Sequence, residues 1–348
     1  MKIAVFLPNW VGDAVMATPA LRALRNHFPD AEILAIHRPY VGDVLRGLDV
    51  VDRSLLHDPG GDPQSRGWRF ARQLRRERAD LAILLPNSLR TAWLAWVAGI
   101  GRRVGFRRDG RGWLLTDPIS PRPRTVPHPV LDAYLRLVAQ VGAPIESRQM
   151  EVATLAADES ALEAFWNRHR QLPEGGYVCL NPGGAFGAAK HWPPESFGLL
   201  AHRIASTLQR NVLVLCGPSE RGAARQIVEI ADHPRVVGLY EVPLSLGLAK
   251  AAIRHSTLLV TTDSGPRHFA PAFDIPVITL FGPTHIAWSE NHYERATHLQ
   301  LDVDCGPCQQ RVCPMGHHKC MRDLSVDQVF AAIESRLFAD AIQPTRAA

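Results

Sequence analysis

The chain of 348 residues is longer than one hydrophobic core commonly serves, so two domains of ordinary size are expected. Its 46% hydrophobic and 21% charged content excludes a disordered or low-complexity protein. The formal charge of +5 is unevenly placed: residues 1–150 carry 22 Lys or Arg, almost all arginine, against 14 Asp or Glu, and the remainder is net acidic.

Met1-Lys2 runs directly into the apolar stretch IAVFLP without a secretory leader, and no run reaches the ~18 apolar residues of a membrane-spanning helix. A cytoplasmic protein is expected. KIAVFLP (2–8) reads as a strand buried on both faces, followed by the loop NWVGD and a helix from about Ala14 to Phe28. AEILAIH is a second strand, GWRFARQLRRERAD a helix with arginines on its outer face, and LAILLPN (81–87) a further strand ending in a polar turn. Residues Arg102 to His128, rich in Arg, Gly and Pro, read as a long exposed loop region. A helix from about Pro129 to Gly142 closes the first domain.

The helix AADESALEAFWNRHRQ leads into a second unit with strands YVCLNPG (177–183), NVLVLCG, STLLVTTD and PVITLFGPT, and helices SFGLLAHRIAST and SLGLAKAAIRHS between them. This alternation predicts an α/β protein of two doubly wound, Rossmann-like domains facing a central cleft. The expected boundaries are 1–155 for the first domain, 156–175 for a linker helix, and 176–340 for the second domain with a Cys-rich segment at 305–320.

The loop after the first strand, PNWVGDAVMATP, has one glycine, which counts against the G-x-G-x-x-G of dinucleotide binding. It carries Asp13 at a helix start, where a carboxylate is either a cap or a general base. In NPGGAFGAAKHWPPESF, Gly183, Gly184 and Gly187 free backbone N–H groups to approach a phosphate, and Lys190 supplies a point charge. No Lys-Ser or Lys-Thr follows at P-loop spacing, which disfavours a P-loop kinase or ATPase. LLVTTDSGPRHFAPAF (258–273) sets Asp263, Ser264 and Gly265 between a strand and a helix N-terminus, with His268 in the first turn. LVLCGPSE brings Glu220 to another strand end. Each feature taken singly is an ordinary turn or cap, but three successive strand ends converge on one site. A nucleotide diphosphate sugar suits it: the diphosphate needs dipole and lysine, the sugar hydroxyls need carboxylates, and the departing charge needs stabilising.

Four motifs then occur in order: NWVGDAVMATPALRALR, LPNSLRTAWLAWVAGIGRRVGF, NPGGAFGAAKHWP and TTDSGPRHFAPAFDIPVITLFGPT. Together they resemble the ADP-heptose:lipopolysaccharide heptosyltransferases, the heptosyltransferase II branch in particular, from the N-terminus to about Thr284. The resemblance implies a GT-B fold and an inverting reaction that needs no cofactor or catalytic metal. It makes the residue matching Asp13 the base for the acceptor hydroxyl. Donor contacts are implied for the glycine loop, Lys190, Glu220, Asp263, Ser264, Gly265 and His268, with Asn9, Asn87, Ser88 and Arg90 as candidates on the acceptor side. The implied partners are ADP-heptose and a lipid A-core oligosaccharide, met at the cytoplasmic face of the inner membrane. Thr262 stands where the family usually has Asn, Arg267 precedes His268, and Ala185 replaces a common acidic residue; all three border the donor sugar.

Cys305, Cys308, Cys313 and Cys320 form C-x2-C-x4-C-x6-C with His317 and His318 inside the span. In a cytosolic chain this pattern argues for structural zinc over disulfides, with reduced structural thiols or an iron cluster as alternatives. Trp93 and Trp96, flanked by Arg90, Arg102 and Arg103, suit either a core helix or a surface that meets an anionic leaflet or acid sugars. Two further readings stay open: the same chemistry on another nucleotide sugar or glycan, and a non-catalytic zinc protein that binds nucleic acid. Arginines spread over the first domain, away from the cysteines, count against the latter, so no nucleic-acid partner is expected.

Overall fold

The computed structural model describes residues 1–123, 125–169, 176–184 and 187–342. The chain divides into two compact units, one of Met1–Ala153 with the short return Ala287–Asn291, the other running from Thr154 to Ile286 and from His292 onward.

The first unit holds six parallel strands: β1 (Lys2–Phe6), β2 (Glu32–His37), β3 (Arg53–Leu56), β4 (Leu81–Leu84), β5 (Arg102–Phe106) and β6 (Asp117–Ile119). Their spatial order is β3-β2-β1-β4-β5-β6. In the register Ile3 lies opposite Ile33 on one side and Leu81 on the other, and Ala4 opposite Leu34 and Ala82. The continuous apolar runs of β1 and β4 follow from this, because helices cover both faces of a central parallel strand. The core over one face is built from Phe6, Leu34, Ile36, Phe70, Leu74 and Leu94.

The second unit repeats the plan with β7 (Tyr177–Asn181), β8 (Asn211–Val214), β9 (Val236–Gly238), β10 (Leu258–Thr262), β11 (Val277–Phe281) and β12 (Ala296–Gln300). These too are all parallel, in the order β12-β11-β10-β7-β8-β9. Trp192 anchors its core, with its ring against Phe197 at 4.8 Å and Nε1 donating to the Leu324 carbonyl at 2.9 Å. Burial supplies the apolar stabilisation, and the hydrogen bond removes the penalty of a buried indole N–H.

Both sheets reverse strand order at a single point, between β1 and β4 in one unit and between β7 and β10 in the other. In open doubly wound sheets the crevice for ligands opens outside the carboxyl ends of the strands at such a point. Two expectations from the sequence are corrected here. Residues 102–128 are not one loop: β5, a 3-10 turn at Arg111–Leu114 and β6 extend the sheet by two strands. The first helix is in fact two, Val11–Met16 and Thr18–His27, because Pro19 has no N–H to continue the first and is placed instead in the opening turn of the second. Among the described residues no helix is long and apolar enough to cross a membrane.

Candidate active site

In the first unit a cavity of about 530 Å³ opens at the β1/β4 reversal, lined by Asn9, Trp10 and Asp13 from the β1 loop and by Leu85, Pro86 and Asn87 from the β4 loop. Arg108, Arg122 and Arg136 add positive charge to its wall, and Tyr134 and Trp288 add aromatic surface. Asp13 is the third residue of its short helix, in the first turn, while the N-cap position belongs to Trp10. A carboxylate in the first turn is favoured electrostatically. Burial pushes the Tyr134 phenol well up, and the neighbouring Asp13 charge adds to the shift, so the tyrosine stays protonated beside the carboxylate.

The sequence candidates around Asp13 are tied down by their own chain. Asn9 offers its carbonyl to the Tyr40 hydroxyl at 2.6 Å. Ser88 Oγ caps the helix Leu89–Val97 by accepting from the Thr91 N–H at 3.2 Å. Asn87 Oδ1 accepts from Arg111, a fully buried arginine that also donates to the carbonyls of Pro86, Ser88 and Phe106. Burial lowers the Arg111 guanidinium to about 10, which leaves it charged at neutral pH. Arg111 therefore clamps the β4 loop against the cavity.

Arg90 lies apart, in a second cavity of about 550 Å³ that it lines with His57, Arg66, Trp68, Arg69 and Trp93. Trp68 and Trp93 meet edge to face at 5.2 Å. Some other arginines of the unit are paired, as Arg22 is with Glu151 and Asp49, and Arg53 with Glu32 and Glu77. Arg66, Arg69 and Arg90 make no ion pair among the described residues.

In the second unit the β7/β10 reversal brings the glycine loop onto the β10 turn. Lys190 Nζ lies 2.5 Å from Asp263 Oδ2 and donates to the Asp263 carbonyl at 3.0 Å. Thr284 Oγ1 donates to the same carboxylate at 2.7 Å, and Arg267 Nη1 lies 3.2 Å from its other oxygen. Burial alone would raise the Asp263 carboxyl, but the charges of Lys190 and Arg267 outweigh it and hold it well below the usual carboxylate range.

Asn181 Nδ2 donates to the hydroxyls of Thr261 and Ser264, both at 2.9 Å. Glu220 accepts from the N–H of Gly184 at 3.0 Å and of Gly217 at 2.7 Å, so its carboxylate staples the β7 loop to the β8 loop. A Cβ at Gly183 would lie within 2.3 Å of that carboxylate, which explains the glycine. His268 is buried, and burial, then the Arg267 charge, drive its pKa well down; its Nδ1 makes no hydrogen bond.

The chain matches the family model for glycosyltransferase family 9 (heptosyltransferase) over residues 67–319. It belongs to glycosyltransferase family 9. The family 9 chain is 24% identical to lipooligosaccharide heptosyltransferase 2 of Campylobacter jejuni over 97% of its length and 98% of that protein. It is 25% identical to lipopolysaccharide heptosyltransferase 2 of Salmonella typhimurium over 98% of its length and the whole of that protein. The solved structure of Escherichia coli ADP-heptose lps heptosyltransferase II superposes with a TM-score of 0.79 at 24% identity, covering 98% of this chain and 100% of that one. The fold is thus the GT-B fold expected from the motifs.

Some family 9 features differ from their sequence reading. Ser264 and Gly265 open a single 3-10 turn, Gly265–His268, and a four-residue helix, so the helix dipole expected there is small and the positive field comes from Lys190 and Arg267. Arg267 is fully buried on Asp263 and stacks over Phe281 at 4.9 Å, and Thr262 donates to the Gly183 carbonyl at 2.6 Å. Both departures from the family pattern therefore build the site's frame. Ala185 lies outside the described residues, as do positions 170–175 of the expected linker, while Ala156–Arg168 forms a helix. Cys179 is buried as expected, but Cys216 is only half-buried.

Cys305, Cys308, Cys313 and Cys320 are free thiols. Among the described residues no group of three or more His, Cys, Asp or Glu is placed to hold a metal ion. Tyr134, Arg111, Asn181 and Thr284 escaped the sequence reading. Asn181 and Thr284 lie inside quoted motifs, so a strand-end rule would have found them. Nothing local marks Arg111 or Tyr134.

Proposed function

We propose that this family 9 chain transfers a heptosyl group from ADP-L-glycero-D-manno-heptose to the inner core of a lipopolysaccharide, with inversion. The observation that carries the reading is the Lys190–Asp263 pair set against the glycine loop at the β7/β10 reversal, in a chain of this family.

Asp13 takes the proton of the acceptor hydroxyl as its oxygen attacks the anomeric carbon, and the bond from that carbon to the diphosphate breaks. Lys190, held by Asp263, meets the charge that develops on the departing ADP, with the backbone N–H groups of Gly183, Gly187, Ser264 and Gly265 beside it, while Gly184 keeps its N–H on Glu220. Asp263 holds the cations in place, and Glu220 holds the loop toward the ribose. The buried, neutral His268 faces the sugar end.

On the acceptor side Asn9 and Asn87 border the Asp13 cavity, while Ser88 and Arg111 set the loop's shape. The reading assigns Arg90, with Arg66 and Arg69, to phosphate or carboxylate groups of a lipid A-core oligosaccharide. The exposed Trp96 and Trp113, in edge-to-face contact at 6.2 Å, support peripheral contact with the cytoplasmic leaflet of the inner membrane. The test is ADP release from a panel of nucleotide sugars with a heptose-bearing core acceptor. ADP-heptose is consumed and Asp13→Ala stops turnover; consumption of a different nucleotide sugar overturns the donor, and full turnover by the variant overturns the base.

A further inference from the structure

The cysteine-bearing segment has a second relation to the donor loops, independent of any metal. The Arg311 carbonyl accepts from the Ala189 N–H at 3.1 Å, one residue before Lys190. The Gln309 N–H donates to the Pro283 carbonyl at 2.7 Å, one residue before Thr284. Lys190 and Thr284 are two of the groups that grip the Asp263 carboxylate, so one three-residue stretch fixes the backbone of both.

Close packing confirms the contact. A Cβ on Gly187 would lie 2.4 Å from the Arg311 carbonyl oxygen, and one on Gly282 would lie 2.4 Å from Met321 Sδ and 3.4 Å from Cys320 Sγ. The four thiols bracket this stretch, with Cys308 immediately before it and Cys313 two residues after it.

We propose that residues 305–320 form a strap that positions the donor loops, so that the chemical state of its thiols sets the affinity for the nucleotide sugar. This rests on the reading that the second unit takes the ADP-sugar. The strap acts through Lys190 and Thr284 and touches no reacting atom, so Gln309 and Arg311 are positioning residues.

Two measurements test it on the full chain. In the first, wild type is treated with iodoacetamide, whose iodide is displaced by the strap thiolates to form thioethers, and ADP binding is followed by calorimetry. Alkylation weakens ADP binding at least tenfold, and by reciprocity bound ADP slows alkylation of Cys305, Cys308, Cys313 and Cys320, read by mass spectrometry. In the second, Gly282→Ala, whose methyl presses on Met321 and Cys320 at the end of the strap, raises the donor KM at least fivefold with kcat within twofold. Equal ADP affinity before and after complete alkylation, with no protection by ADP, overturns the strap. Failure of unmodified protein to bind ADP at all overturns the donor reading instead.

Discussion

Lys190 and Asp263, 73 residues apart in sequence, form a buried ion pair at 2.5 Å that joins the glycine loop after β7 to the turn after β10. Thr284 and Arg267 also hold the carboxylate. A buried charge of this kind is tolerable only when fully partnered.

Asp263→Asn therefore removes the carboxylate charge that meets both Lys190 and Arg267 and destabilises the protein by about 3–5 kcal/mol at neutral pH. Because the folded carboxyl is held below its unfolded value, its stabilisation is present above about pH 3.9 and is lost as pH falls through the folded value. Urea unfolding at pH 7 and pH 3 checks both points: the gap between variant and wild type narrows at the lower pH.

Asp13→Asn keeps the shape of the first-turn residue and removes the carboxylate proposed as the base. The expected outcome is a fall in kcat of about 10²–10⁴-fold with ADP affinity unchanged. A parallel loss of ADP affinity would show that Asp13 serves the donor instead.

Arg111→Lys retains the charge but cannot span the carbonyls of Pro86, Ser88 and Phe106 with Asn87 Oδ1. At about 1–3 kcal/mol for each buried acceptor left unpaired, the melting temperature drops by several degrees. The acceptor KM rises more than the donor KM, since the clamped loop lines the Asp13 cavity.

His57 is pushed down to about 4, mainly by burial and then by the charges of Arg90 and Arg38. An NMR titration of its ring protons shows a midpoint near that value rather than near 6.5. A phosphorylated sugar held by Arg66, Arg69 and Arg90 offsets those charges and raises the midpoint. Arg66→Ala weakens that response, and a midpoint unmoved by the sugar would place the acceptor's anionic groups elsewhere.

The sequence by itself determined the architecture of this family 9 chain. Its central strands are continuous apolar runs that only a doubly covered parallel sheet can bury, and the glycine loop and Asp-Ser-Gly turn at their ends are local backbone chemistry. Strand β5 and the edge strand β6 were not legible, because Arg102, Arg103 and Pro118 interrupt the apolar pattern at this end of the sheet, where exposure weakens it. Tertiary structure decided which charges meet. Nothing near Lys190 in the chain selects Asp263, nothing near Arg111 selects Asn87, and nothing near Cys313 selects the donor loops. These pairings depend on strand order, which brings distant loops to one sheet end, and on burial, which makes each polar partner obligatory.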